Sequence, residues 1–186
     1  FIKYSKVPII NMESSTAHPL QALADAITII ENKNKKRPKV LLSWTPHPKA
    51  LPQAVPNSFV KIMKHMNVEF SIVQPKEFEL NPIVSKDIKL YYDQKEAFKD
   101  ADFVYAKNWS SYKNYGQISK GKDDWIVNKE KMDLTNDAKF MHCLPIRRNI
   151  VASDEVLDNK NSLVIKQAEN RIYSAQYIIE KLLKNE

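Results

Sequence analysis

Lys39-Val40-Leu41-Leu42-Ser43-Trp44 is a nearly unbroken apolar run of strand length. A run that is apolar at successive positions needs cover on both faces of its pleat, which is the condition of a central strand in a parallel sheet. Working outward, the spacing of Leu20, Leu23, Ala24, Ile27 and Ile30 predicts a helix before it, with Pro19 suited to the first turn. A proline-dense loop follows the run (Pro46, Pro48, Pro52, Pro56), then a helix over residues 58–66 and a second strand over 68–73. Residues 88–92 predict a third strand, Glu96-Ala97-Phe98 a short helix, and residues 102–106 a fourth strand. The polar stretch 107–128 is long for an ordinary connection. Residues 139–143 predict a fifth strand, ending at Leu144-Pro145, and Ser153 opens a short helix. Residues 162–165 read as a brief extended piece, and 167–184 as a long amphipathic helix with Ile172, Ala175, Ile179 and Leu182 on one face. Strands alternating with helices imply an α/β fold with a parallel sheet flanked by helices. Ligands of such sheets bind beyond the carboxyl ends of the strands, here Thr45-Pro46-His47, Lys107-Asn108-Trp109 and Cys143-Leu144-Pro145.

Composition narrows the chemistry. Only two of the 186 residues are glycine, against the roughly 13 that a usual abundance of about 7% would give. A G-x-G-x-x-G dinucleotide fingerprint is therefore excluded. Gly116 to Asp123 nearly spells a phosphate-binding loop, G-x-x-x-x-G-K-[ST], but Asp123 replaces the required hydroxyl and would repel phosphate. The net charge is +7, carried by 25 lysines and four arginines against 22 acidic residues. The lysines are spread along the chain, and the densest stretch (Lys33, Lys35, Lys36, Arg37, Lys39) falls where the first helix should end and complement its dipole. No nucleic-acid partner is expected, since a clustered stripe with interleaved aromatics is lacking. No run approaches the ~18 apolar residues of a membrane span, so no membrane partner is expected either. The lone Cys143 forms no intrachain disulfide, which suits a cytoplasmic setting. Phe1-Ile2-Lys3-Tyr4 begins in mid-pattern without a methionine, so the chain reads as a piece of a longer protein.

The four histidines share no metal-ligand spacing with each other or with Cys143, and no metal site is expected. His142 and Cys143 are strand neighbours pointing to opposite faces, so they do not form a nucleophile–base dyad. Met63, Met66, Met141, Trp44 and Trp125 read as packing residues, and His65 as a surface helix residue. Three clusters carry chemistry. His18 and Gln21 lie three apart at a helix start, where both can face one anionic ligand, with Glu13 just upstream. Arg147 and Arg148 follow a strand end, where arginine suits carboxylate or phosphate. Arg171 stands near the start of the last helix.

Taken together these residues resemble the second half of a transcarbamylase of the ornithine branch. His18-Pro19-Leu20-Gln21-Ala22-Leu23-Ala24-Asp25 is similar to that family's H-P-x-Q-x-L-x-D motif, His142-Cys143-Leu144-Pro145 to its H-C-L-P, and Ala168-Glu169-Asn170-Arg171 to its A-E-N-R. The likeness spans essentially all 186 residues. Where ordinary ornithine enzymes carry Ser-Met-Gly, this chain has Tyr105-Ala106-Lys107-Asn108-Trp109, which resembles the acylornithine group. Acetylornithine enzymes have a lysine shortly after Arg-Arg-Asn; Ile150 and Val151 stand there here, which favours N-succinylornithine over N-acetylornithine or plain ornithine.

The resemblance implies a carbamoyltransferase of arginine biosynthesis that needs no metal or cofactor. It implies that His18 donates to the carbamoyl oxygen, that Gln21 and the backbone carbonyls of Cys143 and Leu144 hold the carbamoyl nitrogen, and that Arg171 helps bind carbamoyl phosphate. Glu13 and Lys107 would meet the α-nitrogen region and α-carboxylate of N-acylornithine, and Arg147, with His47, the acyl group. The family's S-T-R-T phosphate loop belongs to its first domain, and no such segment occurs here. Residues 1–186 would then be the amino-acid-binding domain of a homotrimer whose sites form between subunits, with helix 167–184 packing on the carbamoyl-phosphate domain. A non-catalytic ligand-binding or assembly module of the same fold is the rival from another class.

Overall fold

The computed structural model describes residues 1–118 and 120–184. The five apolar runs form strands β1 (Lys39–Trp44), β2 (Glu69–Val73), β3 (Lys89–Tyr91), β4 (Phe103–Lys107) and β5 (Lys139–Met141). All neighbours are parallel, in the order β3-β2-β1-β4-β5. The order reverses at β1, so connections leave β1 and β4 in opposite directions and open a crevice between their carboxyl ends. The β1–β4 register runs from Val40 beside Phe103 to Trp44 beside Lys107, which brings Lys107 to the lip of that crevice. Strand β4 thus runs one residue past the expected Ala106. Strand β5 stops at Met141, short of Cys143, because the Leu144 N–H turns back to donate to His142 Nδ1 at 3.0 Å.

Among the described residues, seven α-helices connect and cover the strands: α1 (Pro19–Asn32), α2 (Ala54–Met63), α3 (Pro82–Ser85), α4 (Gln94–Phe98), α5 (Lys129–Met132), α6 (Asp154–Leu157) and α7 (Val164–Lys184). Side chains alternate across the sheet. Val40, Leu42, Trp44, Ile72, Phe103 and Tyr105 face α1 and α2, meeting Ile29, Val55, Phe59, Val60 and Met63. Leu41, Val73, Val104, Ala106 and Phe140 face the other way, toward Ala97 and Phe98 of α4 and Val156 and Leu157 of α6. Phe59 is fully buried and edge-on to Tyr105, ring centroids 4.5 Å apart. Truncating such a side chain to alanine removes about 3–5 kcal/mol.

Further departures from the sequence reading have physical causes. Helix α2 covers 54–63 rather than 58–66, and Pro56 lies in its first turn, where a missing N–H removes no helical bond. His65 is exposed, but just beyond the helix rather than on it. Of residues 162–165, only Ser162 makes a bridge, to Phe140, and the helix begins at Val164. The lysine-rich stretch lies beyond the last turn of α1, where Lys35 Nζ meets Asp102 Oδ1 at 2.7 Å.

Helix α1 packs between α2 and α7. On α7 the side turned to α1 is polar: Gln167, Asn170 and Ser174 are fully buried, while Ile172 and Ile179 on the apolar face are 60% and 49% exposed. In the stretch Gly116 to Asp123, Gly116 and Gly121 are exposed and have φ of +89° and +65°. Only a three-residue 3₁₀ turn (Asp123–Trp125) follows it. Ser119 of that stretch lies outside the described residues. Lys131 pins the turn from below, donating to Gln94 Oε1 at 2.7 Å, to the Ile126 carbonyl at 2.7 Å and to the Asp124 carbonyl.

Candidate functional site

A pocket of about 550 Å³ opens at the switch point of the sheet. Its wall contains Glu13, His18, Gln21, His47, Lys107, Cys143, Leu144, Arg147 and Arg171, every residue to which the resemblance gave a role, whereas Arg148 lies outside it. These residues are separated by as many as 158 positions in the chain and come together because β1, β4 and β5 end side by side against the start of α1. Residues to which the sequence reading gave no role complete the lining: Lys49, Leu51 and Pro52 from the loop after β1, Val55 from the first turn of α2, and Pro145 and Ile146 after β5. A basic residue inside a proline loop two positions from His47 was the available signal for Lys49.

The walls are held by backbone. Asn108 donates to the Thr45 carbonyl at 2.7 Å, the Ser110 N–H to the Leu51 carbonyl at 2.8 Å, and Gln53 Nε2 to the Ser110 carbonyl at 2.8 Å. Trp44 Nε1 donates to the Trp109 carbonyl at 2.9 Å, and Trp109 Nε1 to the Phe78 carbonyl at 2.7 Å. The loops after β1 and β4 are thereby tied together, and Trp109 is buried packing beneath them. Leu144 adopts φ +50°, a conformation uncommon for a branched residue. On the far side of the pocket, Arg148 bridges Asp154 and Asp158 (2.7 and 2.6 Å), which braces the turn carrying Arg147.

His18 caps α1 without a side-chain capping bond; its own N–H donates to Ser58 Oγ at 2.8 Å. The ring is buried, and burial pulls its pKa below the usual value against the opposing effect of Glu13, whose Oε2 lies 3.9 Å from Nε2. His18 is therefore a neutral imidazole at neutral pH, able to donate one N–H. Burial, together with Arg147, Lys107 and Lys49, likewise lowers His47. His142 is pushed down to about 3 by burial and accepts from Leu144, so it shapes the turn rather than titrates. The Cys143 thiol is raised by burial, which leaves it protonated and a poor nucleophile.

With both histidines neutral, the charge of the pocket comes from Lys49, Lys107, Arg147 and Arg171 against the single carboxylate of Glu13. Gln21 is buried with its amide oxygen accepting from Arg171 Nη1 at 2.9 Å. Such a pocket suits a ligand with several separated anionic groups and one positive or polar nitrogen near Glu13. No group of three or more His, Cys, Asp or Glu that could hold a metal occurs among the described residues. No described helix is long and apolar enough to cross a membrane.

Residues 52–182 match the family described as aspartate/ornithine carbamoyltransferase, Asp/Orn binding domain. The chain is 48% identical over 187 residues to N-succinylornithine carbamoyltransferase of Bacteroides fragilis (strain 638R), covering 100% of this chain and 59% of that protein. It is 36% identical to N-acetylornithine carbamoyltransferase of Xanthomonas axonopodis pv. citri (strain 306), covering 98% and 59% respectively. The crystal structure of acetylornithine transcarbamylase complexed with acetylcitrulline superposes with a TM-score of 0.89 at 36% identity, over 97% of this chain and 60% of that one. A point variant of N-acetyl-L-ornithine transcarbamylase complexed with carbamyl phosphate and N-succinyl-L-norvaline also gives 0.89 at 36% identity, over 98% and 61%. The chain spans about 59% of the length of the curated relatives it matches. With the pocket and the parallel sheet in agreement, the chain belongs to the aspartate/ornithine carbamoyltransferase family.

Proposed function

We propose that this chain is the amino-acid-binding part of an N-succinylornithine carbamoyltransferase, which moves the carbamoyl group of carbamoyl phosphate to the substrate's side-chain amine in arginine biosynthesis. The observation that carries the reading is the charge layout: four cations and one carboxylate around a pocket of about 550 Å³. N-succinylornithine brings two carboxylates, carbamoyl phosphate brings a phosphate, and a relative 48% identical to this chain bears that activity in its name. An N-acetyl substrate lacks the second carboxylate, and plain ornithine lacks the acyl group altogether. Ile150 and Val151 stand where acetylornithine enzymes carry a lysine shortly after Arg-Arg-Asn, and neither can offer a charge to a ligand.

In this reading the neutral amine attacks the carbamoyl carbon, the N–C bond forms, the C–O bond to phosphate breaks, and one proton passes from the nitrogen to the departing phosphate. The neutral His18 donates its N–H to the carbonyl oxygen as charge gathers there. Gln21 Oε1 and the carbonyls of Cys143 and Leu144 accept from the carbamoyl NH₂, and Arg171 meets the phosphate side. Glu13 lies toward the substituted α-nitrogen, Lys107 takes the α-carboxylate, and Arg147, with His47, takes the succinyl end. Holding both reactants in line is the main contribution, since the amine is an adequate nucleophile once neutral.

The remaining phosphate ligands would come from the rest of a longer protein, in a trimer whose sites lie between subunits. The exposed stripe of Ile165, Ile172, Ile179 and Leu183 along α7 supports packing of that helix on a carbamoyl-phosphate domain. The single cysteine and the biosynthetic role support a cytoplasmic setting. The test is a parallel assay of the full-length protein with carbamoyl phosphate and N-succinylornithine, N-acetylornithine or ornithine. Highest kcat/KM with the succinyl substrate is expected; preference for either of the others overturns the acyl assignment, and no turnover with any favours a binding module.

A further inference from the structure

Behind the pocket wall, helices α1 and α7 meet around one carboxylate. Asp25 is fully buried, and its Oδ1 accepts from Gln21 Nε2 at 2.7 Å and from Gln167 Nε2 at 2.6 Å. Each glutamine has its other end engaged. Gln21 Oε1 accepts from Arg171 Nη1 at 2.9 Å, and Gln167 Oε1 accepts from the His142 N–H at 2.9 Å. Asp25 does not line the pocket, yet every strand of this network ends on something that does: Gln21, Arg171, and the turn that carries Cys143 and Leu144.

The two ends of a glutamine amide have nearly the same shape and opposite hydrogen-bonding sense, so its neighbours decide which end faces a ligand. Asp25 Oδ1 accepts from both amides whether the carboxyl is ionised or carries a proton on Oδ2. Asp25 therefore draws the NH₂ of Gln21 inward and leaves the amide oxygen facing Arg171 and the pocket. That is the sense required to accept from a carbamoyl NH₂. Gln167 is oriented by the same carboxylate, and its oxygen is what ties the His142 N–H at the end of β5.

We propose that Asp25 is a positioning residue for carbamoyl transfer, which sets the amide sense of Gln21 directly and the seating of the Cys143–Leu144 carbonyls through Gln167. The inference rests on the carbamoyltransferase reading above. Stability alone gives no reason for a carboxylate here. Its Oδ2 is buried without a hydrogen-bond partner among the described residues, and burial pushes its pKa up to about 7. The groups facing it are Arg171 from α7, the Tyr105 hydroxyl from β4 and the Cys143 thiol beyond β5. An apolar residue of similar size would avoid that desolvation.

The test uses the full-length enzyme. Asp25→Asn keeps the size but lets residue 25 meet either end of the Gln21 amide. The expected result is a kcat lower by about tenfold or more, the scale of one misdirected hydrogen bond, with the KM for acylornithine within about twofold of wild type. A merely structural role would lower Tm and leave kcat per folded molecule unchanged, and that result overturns the proposal. If the variant does not fold, Gln167→Met carries the same test, since it removes one donor to Asp25 and the acceptor for His142. It is expected to lower kcat with the same unchanged acylornithine KM, and wild-type kcat overturns the proposal. A wild-type enzyme that carbamoylates no amino acid overturns the parent reading and this inference with it. An active wild type with unaltered variants overturns this inference alone.

Discussion

Replacing Arg147 by leucine separates the acyl end of the pocket from the rest. The guanidinium is exposed at the rim, and among the described residues it makes no side-chain hydrogen bond or ion pair; only its backbone carbonyl is used, by Ile150 and Val151. The turn beneath it is braced instead by Arg148 and its two aspartates. Arg147→Leu should therefore leave Tm within a degree or two, since surface changes of this kind stay within about 0.5 kcal/mol. The loss with N-succinylornithine is larger. A charge-assisted bond between guanidinium and carboxylate contributes about 1.5–3 kcal/mol. Exposure at the rim and the nearby cations Lys49 and Lys107 bring the estimate toward the lower end, about 1.5–2 kcal/mol, which is roughly 10–30-fold in kcat/KM. N-acetylornithine offers no carboxylate at that end and should lose less than about threefold. The assay is steady-state kcat/KM for both amino acids at saturating carbamoyl phosphate, in low and high salt. The succinyl advantage should shrink as salt rises. Equal losses for the two substrates, or a salt-independent difference, would refute the assignment of Arg147 to the acyl carboxylate.

Three further outcomes are expected. Lys107→Ala should raise the KM for acylornithine by about tenfold or more while leaving that for carbamoyl phosphate near wild type; an unchanged acylornithine KM would remove Lys107 from the α-carboxylate. The Asp25 pKa of about 7 lies above the ordinary 3.8, so its contribution to stability is full below pH ~4 and is lost as pH rises toward 7. Wild-type Tm should accordingly fall relative to Asp25→Asn between pH 5 and pH 8 in calorimetric scans, and a pH-independent gap would contradict the buried titration. The 186 residues alone should turn over no carbamoyl phosphate, because the S-T-R-T phosphate loop is not among them; robust activity would overturn the two-part reading of the site.

The strands were legible because each is a short apolar run whose alternation matches the two covered faces, as Leu41 and Leu42 illustrate by packing into opposite cores. Their order was not, since nothing local in β1 says that β4 rather than β3 lies beside it. Pro56 hid the start of α2, because a proline in a first turn looks in sequence like a proline in a loop. Helix α7 misled in another way. Its apolar residues mark a face, but the side that packs on α1 is built from Gln167, Asn170 and Ser174, which hydropathy counts as surface. For the same reason nothing in the sequence showed what Asp25, the last residue of the first motif, or Gln167, just before the last motif, would do. Their role depends on a contact across 142 positions of chain.

The lateral margins of the sheet bear on how copies of this chain can meet. At one margin β3 is only three residues long, begins at the exposed Lys89 and keeps that ammonium over the Tyr91 ring. At the other, the Phe140 N–H and carbonyl of β5 are already bonded to Asn161 and Leu163. The β5 rim is thus partly capped, and the β3 rim is short and headed by a lysine, two features that discourage a foreign strand from adding to the sheet. Growth of the sheet strand by strand is thereby disfavoured, and the broad helix surfaces are left as the larger faces for contact with other chains.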